Sequence, residues 1–116
     1  MIIHIKNLRA QTLLGCFPEE RAALREVVLN LTIEYDHAKS LISDNVADVP
    51  DYGVIEQTIV DLLAKQEFHL LESLAALVMK TLLAFNGVRQ VTVEIDKAGT
   101  LKYADSVSVT HTQSND

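Results

Sequence analysis

The sequence predicts an α+β fold: an antiparallel four-stranded sheet with two helices on one face, in the order β-β-α-α-β-β. Three observations carry this. Period-2 alternation of apolar and polar residues runs from Val27 to Tyr35 and again from Val91 to Asp96. Apolar stripes at helical spacing occupy the middle of the chain, from Ile55 to Phe85. Strands come as two pairs flanking two helices, with no β-α-β rhythm, so each pair folds as a hairpin.

Met1 to Ala10 alternates weakly through Ile3 and Ile5, with His4 and Lys6 on the other side, and reads as the first strand. Leu13 to Pro18 is a strand end and turn, and Glu19-Glu20-Arg21 begins a polar loop. In the second strand Val27, Leu29, Leu31, Ile33 and Tyr35 point one way, against Val28, Asn30, Thr32 and Glu34. From Ala38 to Pro50 the periodicity is lost, leaving one helical turn around Lys39 to Ile42 and then a loop. Asp51 caps the first long helix, whose stripe is Ile55, Ile59, Leu62 and Leu63. The second carries Leu71, Leu74, Val78, Leu82 and Phe85 and stops at Asn86-Gly87. Val91, Val93 and Ile95 form the third strand, Ala98-Gly99-Thr100 the turn, and Val107 and Val109 the fourth strand.

The sheet face away from the helices carries Asn30, Thr32, Glu34, Thr92, Glu94, Ser106, Ser108 and Thr110, which are polar but short and poor in lysine. Two arrangements fit such a face. One is an ordinary two-layer sandwich with a solvated sheet. The other joins sheet edges between subunits into a barrel with a wet lumen and the helices outside.

A chain of 116 residues is a single domain, residues 1–116, with enough length for an ordinary core. Its 48% apolar and 22% charged residues and two prolines are a globular composition. A formal charge of −6 argues against nucleic acid, which needs a basic surface. No run approaches membrane-spanning length, and Met1 leads into a strand with no basic, then apolar, leader. The single Cys16 cannot form an internal disulfide, which fits a reducing cytoplasm, and reads as a packing residue near a turn. No phosphate loop or GxSxG elbow is present, and His4, His37, His69 and His111 show no ligand spacing, so no metal is expected.

Four residues remain for chemistry. Lys97 ends a strand whose inward face is apolar. An amine there can lose solvation and act as a base, or lay its stem along the core with its head in water. Glu72 lies in the first turn of the second long helix, where the dipole favours an ionised carboxylate able to accept two parallel N–H bonds. Its alternative is a capping box with His69 as N-cap, a poor partner for that motif. Tyr52 can present its hydroxyl from the start of the first helix, or be a plain helix-face aromatic. Glu20, in the polar loop, is expected to be exposed.

Leu14-Gly15 with Glu20 five residues after the glycine, Asp48-x-x-Asp51-Tyr52, Phe68-x-Leu70-Leu71-Glu72-x-Leu74-Ala75, and Val93-x-Ile95-x-Lys97 form an ordered set. Through it the chain resembles the dihydroneopterin aldolase family, which includes the dihydroneopterin triphosphate epimerases, over nearly its whole length. The resemblance implies the tunnelling fold, assembled as a homo-tetramer ring or a homo-octamer of two rings. It implies that Glu72, helped by the backbone at Leu71, binds the pterin through its 2-amino group and adjacent ring N–H. Lys97 would be the proton-transfer residue, Tyr52 a general acid/base, and Glu20 a partner for Lys97 or its water. The substrate's own C=N bond is the electron sink, so neither an enzyme Schiff base nor a metal or other cofactor is required. A base takes the 2′-hydroxyl proton, the 1′–2′ bond breaks, glycolaldehyde leaves, and the enamine is protonated to 6-hydroxymethyl-dihydropterin.

The leading expectation is the aldolase of folate synthesis. The runner-up is the epimerase, which re-adds glycolaldehyde to the opposite face. A reading from another class is a non-catalytic module that binds a pterin or purine, but Lys97 and Tyr52 beside Glu72 favour catalysis. Arg25 stands where many members have glutamine, and Ala98 where aldolases often have proline. The stretch from Leu101 to Ser108 is closer to the epimerase branch.

Overall fold

The structure, a computed structural model, describes residues 1–20, 22–38 and 40–115, with the backbone alone at Ser40. Strands β1 (Ile2–Leu14) and β2 (Arg25–Tyr35) open the chain. A short helix α1 (Ser40–Ser43) and a 3-10 turn at Val46–Asp48 lead to α2 (Tyr52–Ala64). Then come β3 (Glu67–Phe68), α3 (Leu71–Leu83), β4 (Val88–Ala98) and β5 (Ser106–Ser114). The short helix expected near Ile42 is present; its expected first residue, Lys39, and the loop residue Arg21 lie outside the described residues.

Among the described residues the sheet has five strands, not four, in the order β3-β1-β2-β4-β5. The added strand, β3, runs parallel to the end of β1 through Leu13↔Glu67 and Leu14↔Phe68. Two residues cannot display a period, so this strand left no mark in the pattern. The other pairings are antiparallel, as expected.

β1 also runs further than Ala10. Between Ile5 and Leu8 its register with β2 slips by one residue, and Asn7 there takes a positive φ of 54°. This is a β-bulge. It moves the inward-facing set from the odd positions Ile3 and Ile5 to the even positions Leu8, Ala10, Thr12 and Leu14. The phase change is why the alternation looked weak. The side-chain oxygen of Asn30 accepts from the Asn7 backbone N–H at 3.0 Å and steadies the bulge.

Asp51 caps α2 as expected, its carboxylate accepting from the N–H groups of Gly53 and Val54. α2 lies over β1, and α3 over β4 and β5. Ile55, Ile59 and Leu63 from α2 and Leu74, Val78 and Leu82 from α3 are fully buried against Leu29, Leu31, Val93 and Ile95. Each such side chain contributes about 1.5–3 kcal/mol by leaving water. The opposite face is polar, with Asn30, Glu94 and Thr110 in one row and Thr32, Thr92 and Thr112 in the next. Among the described residues, no helix is long and apolar enough to cross a membrane.

Candidate active site

The β1–β2 loop is built around a close approach. Gly15 has φ +145°, and a Cβ on it would sit 2.3 Å from the Cβ of Glu20. Only glycine lets Glu20 fold back onto this point. Pro18 is the second residue of a turn closed by the Glu20 N–H donating to the Phe17 carbonyl at 3.0 Å. The Gly15 N–H donates to the Phe68 carbonyl at 3.1 Å, which ties the loop to β3.

The turn delivers the Glu20 carboxylate to Lys97. Lys97 Nζ lies 3.3 Å from Glu20 Oε2, and the two side chains are only 14% and 29% exposed. Glu20 is therefore half-buried and paired, not simply exposed as expected. Its other oxygen accepts from the Phe17 N–H at 3.3 Å. Burial pushes this carboxyl up most strongly, but the bond and charge of Lys97 and the N–H groups of Phe17 and Cys16 together hold it below its ordinary value. Lys97 reaches the pair because it sits on the helix side of β4, opposite Val107 of β5. Glu20, Arg25, Lys97, Gly99 and Thr100 line one open pocket at this end of the sheet.

Glu72 lies nearby in the fold but in a different pocket, with Ala75, Ala76, Val109 and His111. Val109 faces Ile95, two residues before Lys97, so both pockets open at the same end of the sheet. The N-cap of α3 is Leu70, not His69, and makes no side-chain cap bond. Glu72 is thus the second helical residue, one place too early for a capping box. Its carboxylate is exposed and makes no hydrogen bond or ion pair among the described residues. The first N–H of α3 with a helical acceptor is that of Leu74, which donates to Leu70; among the described residues the one on Leu71 has no backbone acceptor.

Tyr52 is 67% exposed at the start of α2 and lines a third pocket, with Asn45, Val46, Val49 and Pro50. Within one chain, then, Glu20 and Lys97 are brought together, while Glu72 and Tyr52 line pockets of their own. Among the described residues, no cluster of His, Cys, Asp and Glu could hold a metal ion.

Sequence reasoning did not find the part played by Arg25. Its Nε donates to the Glu20 carbonyl and its Nη2 to the Glu19 carbonyl, both at 3.3 Å. Contacts from a side chain to loop carbonyls leave no residue pattern to read. The role of Gly15 had a signal, a glycine five residues before the acid, but not its steric reason.

The family model described as dihydroneopterin aldolase (FolB) matches residues 3–112. This chain belongs to the dihydroneopterin aldolase family. Among its relatives, the dihydroneopterin triphosphate 2′-epimerase of Escherichia coli K12 is 38% identical over 109 residues, covering 94% of this chain and 91% of that protein. The dihydroneopterin aldolase of the same organism is 30% identical over 108 residues, covering 93% and 88%. An E. coli dihydroneopterin aldolase solved in complex with neopterin superposes with a TM-score of 0.90 at 30% identity, covering 97% of this chain and 98% of that one. Both relatives bear the names of enzymes.

Proposed function

We propose that this member of the dihydroneopterin aldolase family breaks the 1′–2′ bond of a dihydroneopterin by retro-aldol chemistry and chiefly returns the released aldehyde, glycolaldehyde or its triphosphate ester, through the opposite face. It is then a 2′-epimerase of dihydroneopterin or its triphosphate. The observation that carries the chemistry is the half-buried Lys97–Glu20 pair, 3.3 Å apart. Lys97, once its ammonium has passed a proton to water, takes the 2′-hydroxyl proton directly or through a water it holds, and Glu20 keeps the side chain in place. The bond electrons move into the C=N of the ring, which needs no cofactor. Glu72 and the Leu71 backbone hold the amino-pyrimidine edge through parallel charge-assisted bonds. Tyr52 serves as acid/base from a site shared between subunits, in keeping with its exposed position away from Lys97.

The epimerase outcome is favoured over the aldolase by the higher identity to the epimerase relative. The aldolase remains the second reading because both products come from one enamine: protonation at C1′ gives 6-hydroxymethyl-dihydropterin, re-addition gives the epimer. The test is product analysis after incubation with dihydroneopterin and with its triphosphate. Monapterin-type product without free two-carbon aldehyde is expected. Glycolaldehyde, or its triphosphate ester from the triphosphate substrate, released in step with hydroxymethyl-dihydropterin would make the protein an aldolase. Binding with no turnover of either substrate would leave a pterin-binding module.

A further inference from the structure

We infer that Arg25 is a positioning residue that clamps the loop backbone so that Glu20 meets Lys97. The inference rests on the reading of Lys97 and Glu20 as the proton-transfer pair. Arg25 is the first residue of β2 and pairs with Thr12 of β1. Thr12 is wholly buried, and its hydroxyl donates to the Gln66 carbonyl at 3.3 Å, so the clamp has a rigid root. From there two guanidinium nitrogens reach two successive carbonyls, those of Glu19 and Glu20.

The guanidinium makes no ion pair with a carboxylate among the described residues, although Glu20 and Glu26 line the same pocket. Its donors are directed at the main chain. The loop is therefore gripped twice at Glu20, by Lys97 on the carboxylate and by Arg25 on the carbonyl. Two N–H groups fixed in a planar fork are particular to arginine; a lysine ammonium is a single point on a flexible stem, and a glutamine amide is too short to span both carbonyls from the same root. Releasing the carbonyls frees the loop to carry the carboxylate off the amine. A misplacement of about 1 Å at a reacting group can reduce turnover about 10²-fold.

Arg25→Ala, Arg25→Lys and Arg25→Gln, purified in the assembled form of the wild type, test this with two readouts. The first is the titration of the Glu20 carboxyl carbon by NMR, assigned with Glu20→Gln. In all three variants its midpoint should move up toward the ordinary carboxylate value, while the circular dichroism of the fold is unchanged. The second is steady-state turnover, where kcat should fall with little change in KM, and lysine should not rescue. An unmoved Glu20 titration, or an unmoved kcat, would overturn the inference. So would a rise in KM confined to the triphosphate substrate, which would make Arg25 a phosphate contact. If the wild type itself turns over neither substrate, the enzymatic reading fails, and the titration alone still decides whether Arg25 holds Glu20.

Discussion

Lys97 owes its chemical prospects to position. It occupies an inward-facing site on β4 that elsewhere carries Val91, Val93 and Ile95, yet it lines an open pocket with Gly99 and Thr100. If it transfers protons, Lys97→Ala should reduce kcat about 10²–10⁴-fold, with far less effect on binding. Lys97→Arg should not restore activity, because a guanidinium keeps its proton. Near-normal kcat with a raised KM would make the lysine a binding residue only. Glu20 gives a second expectation. Its carboxyl is depressed in the folded protein below its ordinary value of 4.5, so the pair's contribution to stability is present above that value and is lost as the pH falls through the depressed one. The advantage of wild type over Glu20→Gln in denaturant melts should thus shrink between about pH 7 and about pH 3. An advantage undiminished in acid would contradict the ion pair. The sequence could name Glu20 and Lys97, since spacing from Gly15 and a strand end are local features. It could not show the contact, because 77 residues separate the two.

At the scale of elements, the short strand β3 does more than its length implies. Between α2 and α3, the chain touches the end of β1 at Thr12 through Gln66, at Gly15 through Phe68, and at Cys16 through His69. Those contacts set the start of α3, and so Glu72, relative to the loop that bears Glu20. Thr12→Val keeps the shape but removes a buried hydroxyl and leaves the Gln66 carbonyl unpaired. It should cost about 1–2 kcal/mol and lower the Tm by several degrees, with faster hydrogen exchange at the Gly15 amide. A Tm equal to wild type would show that water serves the carbonyl as well. The long strands and both long helices were legible because their burial imposes a period over many residues. β3 was not, nor was the N-cap of α3, where Leu70 has no side-chain acceptor to announce it.

The whole molecule is larger than its mass requires. Its accessible surface is 7262 Å², against about 6,300 Å² for a monomeric protein of this mass. It extends 52 Å along its longest axis. Beyond its contact with β3, the outer edge of β1 has no strand beside it among the described residues, and β5 is the opposite edge of the sheet. Leu41, Ile42, Val46 and Tyr52 are each more than 65% exposed around α1 and the start of α2. Open edges and uncovered apolar side chains favour association. Light scattering at micromolar concentration should therefore return four or eight times 12.9 kDa. A species of 12.9 kDa would rule out the closed barrel and any site shared between subunits. Composition could not choose between barrel and sandwich, because a polar sheet face has the same residues whether it meets bulk water or a lumen.

The bulge at Asn7 acts on β1 as a frameshift acts on a coding sequence. Residues before it are read inward on odd numbers and residues after it on even numbers, so the placement of Leu14, Gly15 and finally Glu20 depends on one extra residue near the other end of the strand. Exchanging Asn7 for glycine preserves that count, and glycine accepts the positive φ. Removing Asn7 does not. Either Ile3 and Ile5 turn outward, or Leu8, Ala10, Thr12 and Leu14 do. The strand should tolerate a change of letter at this position and fail on its deletion.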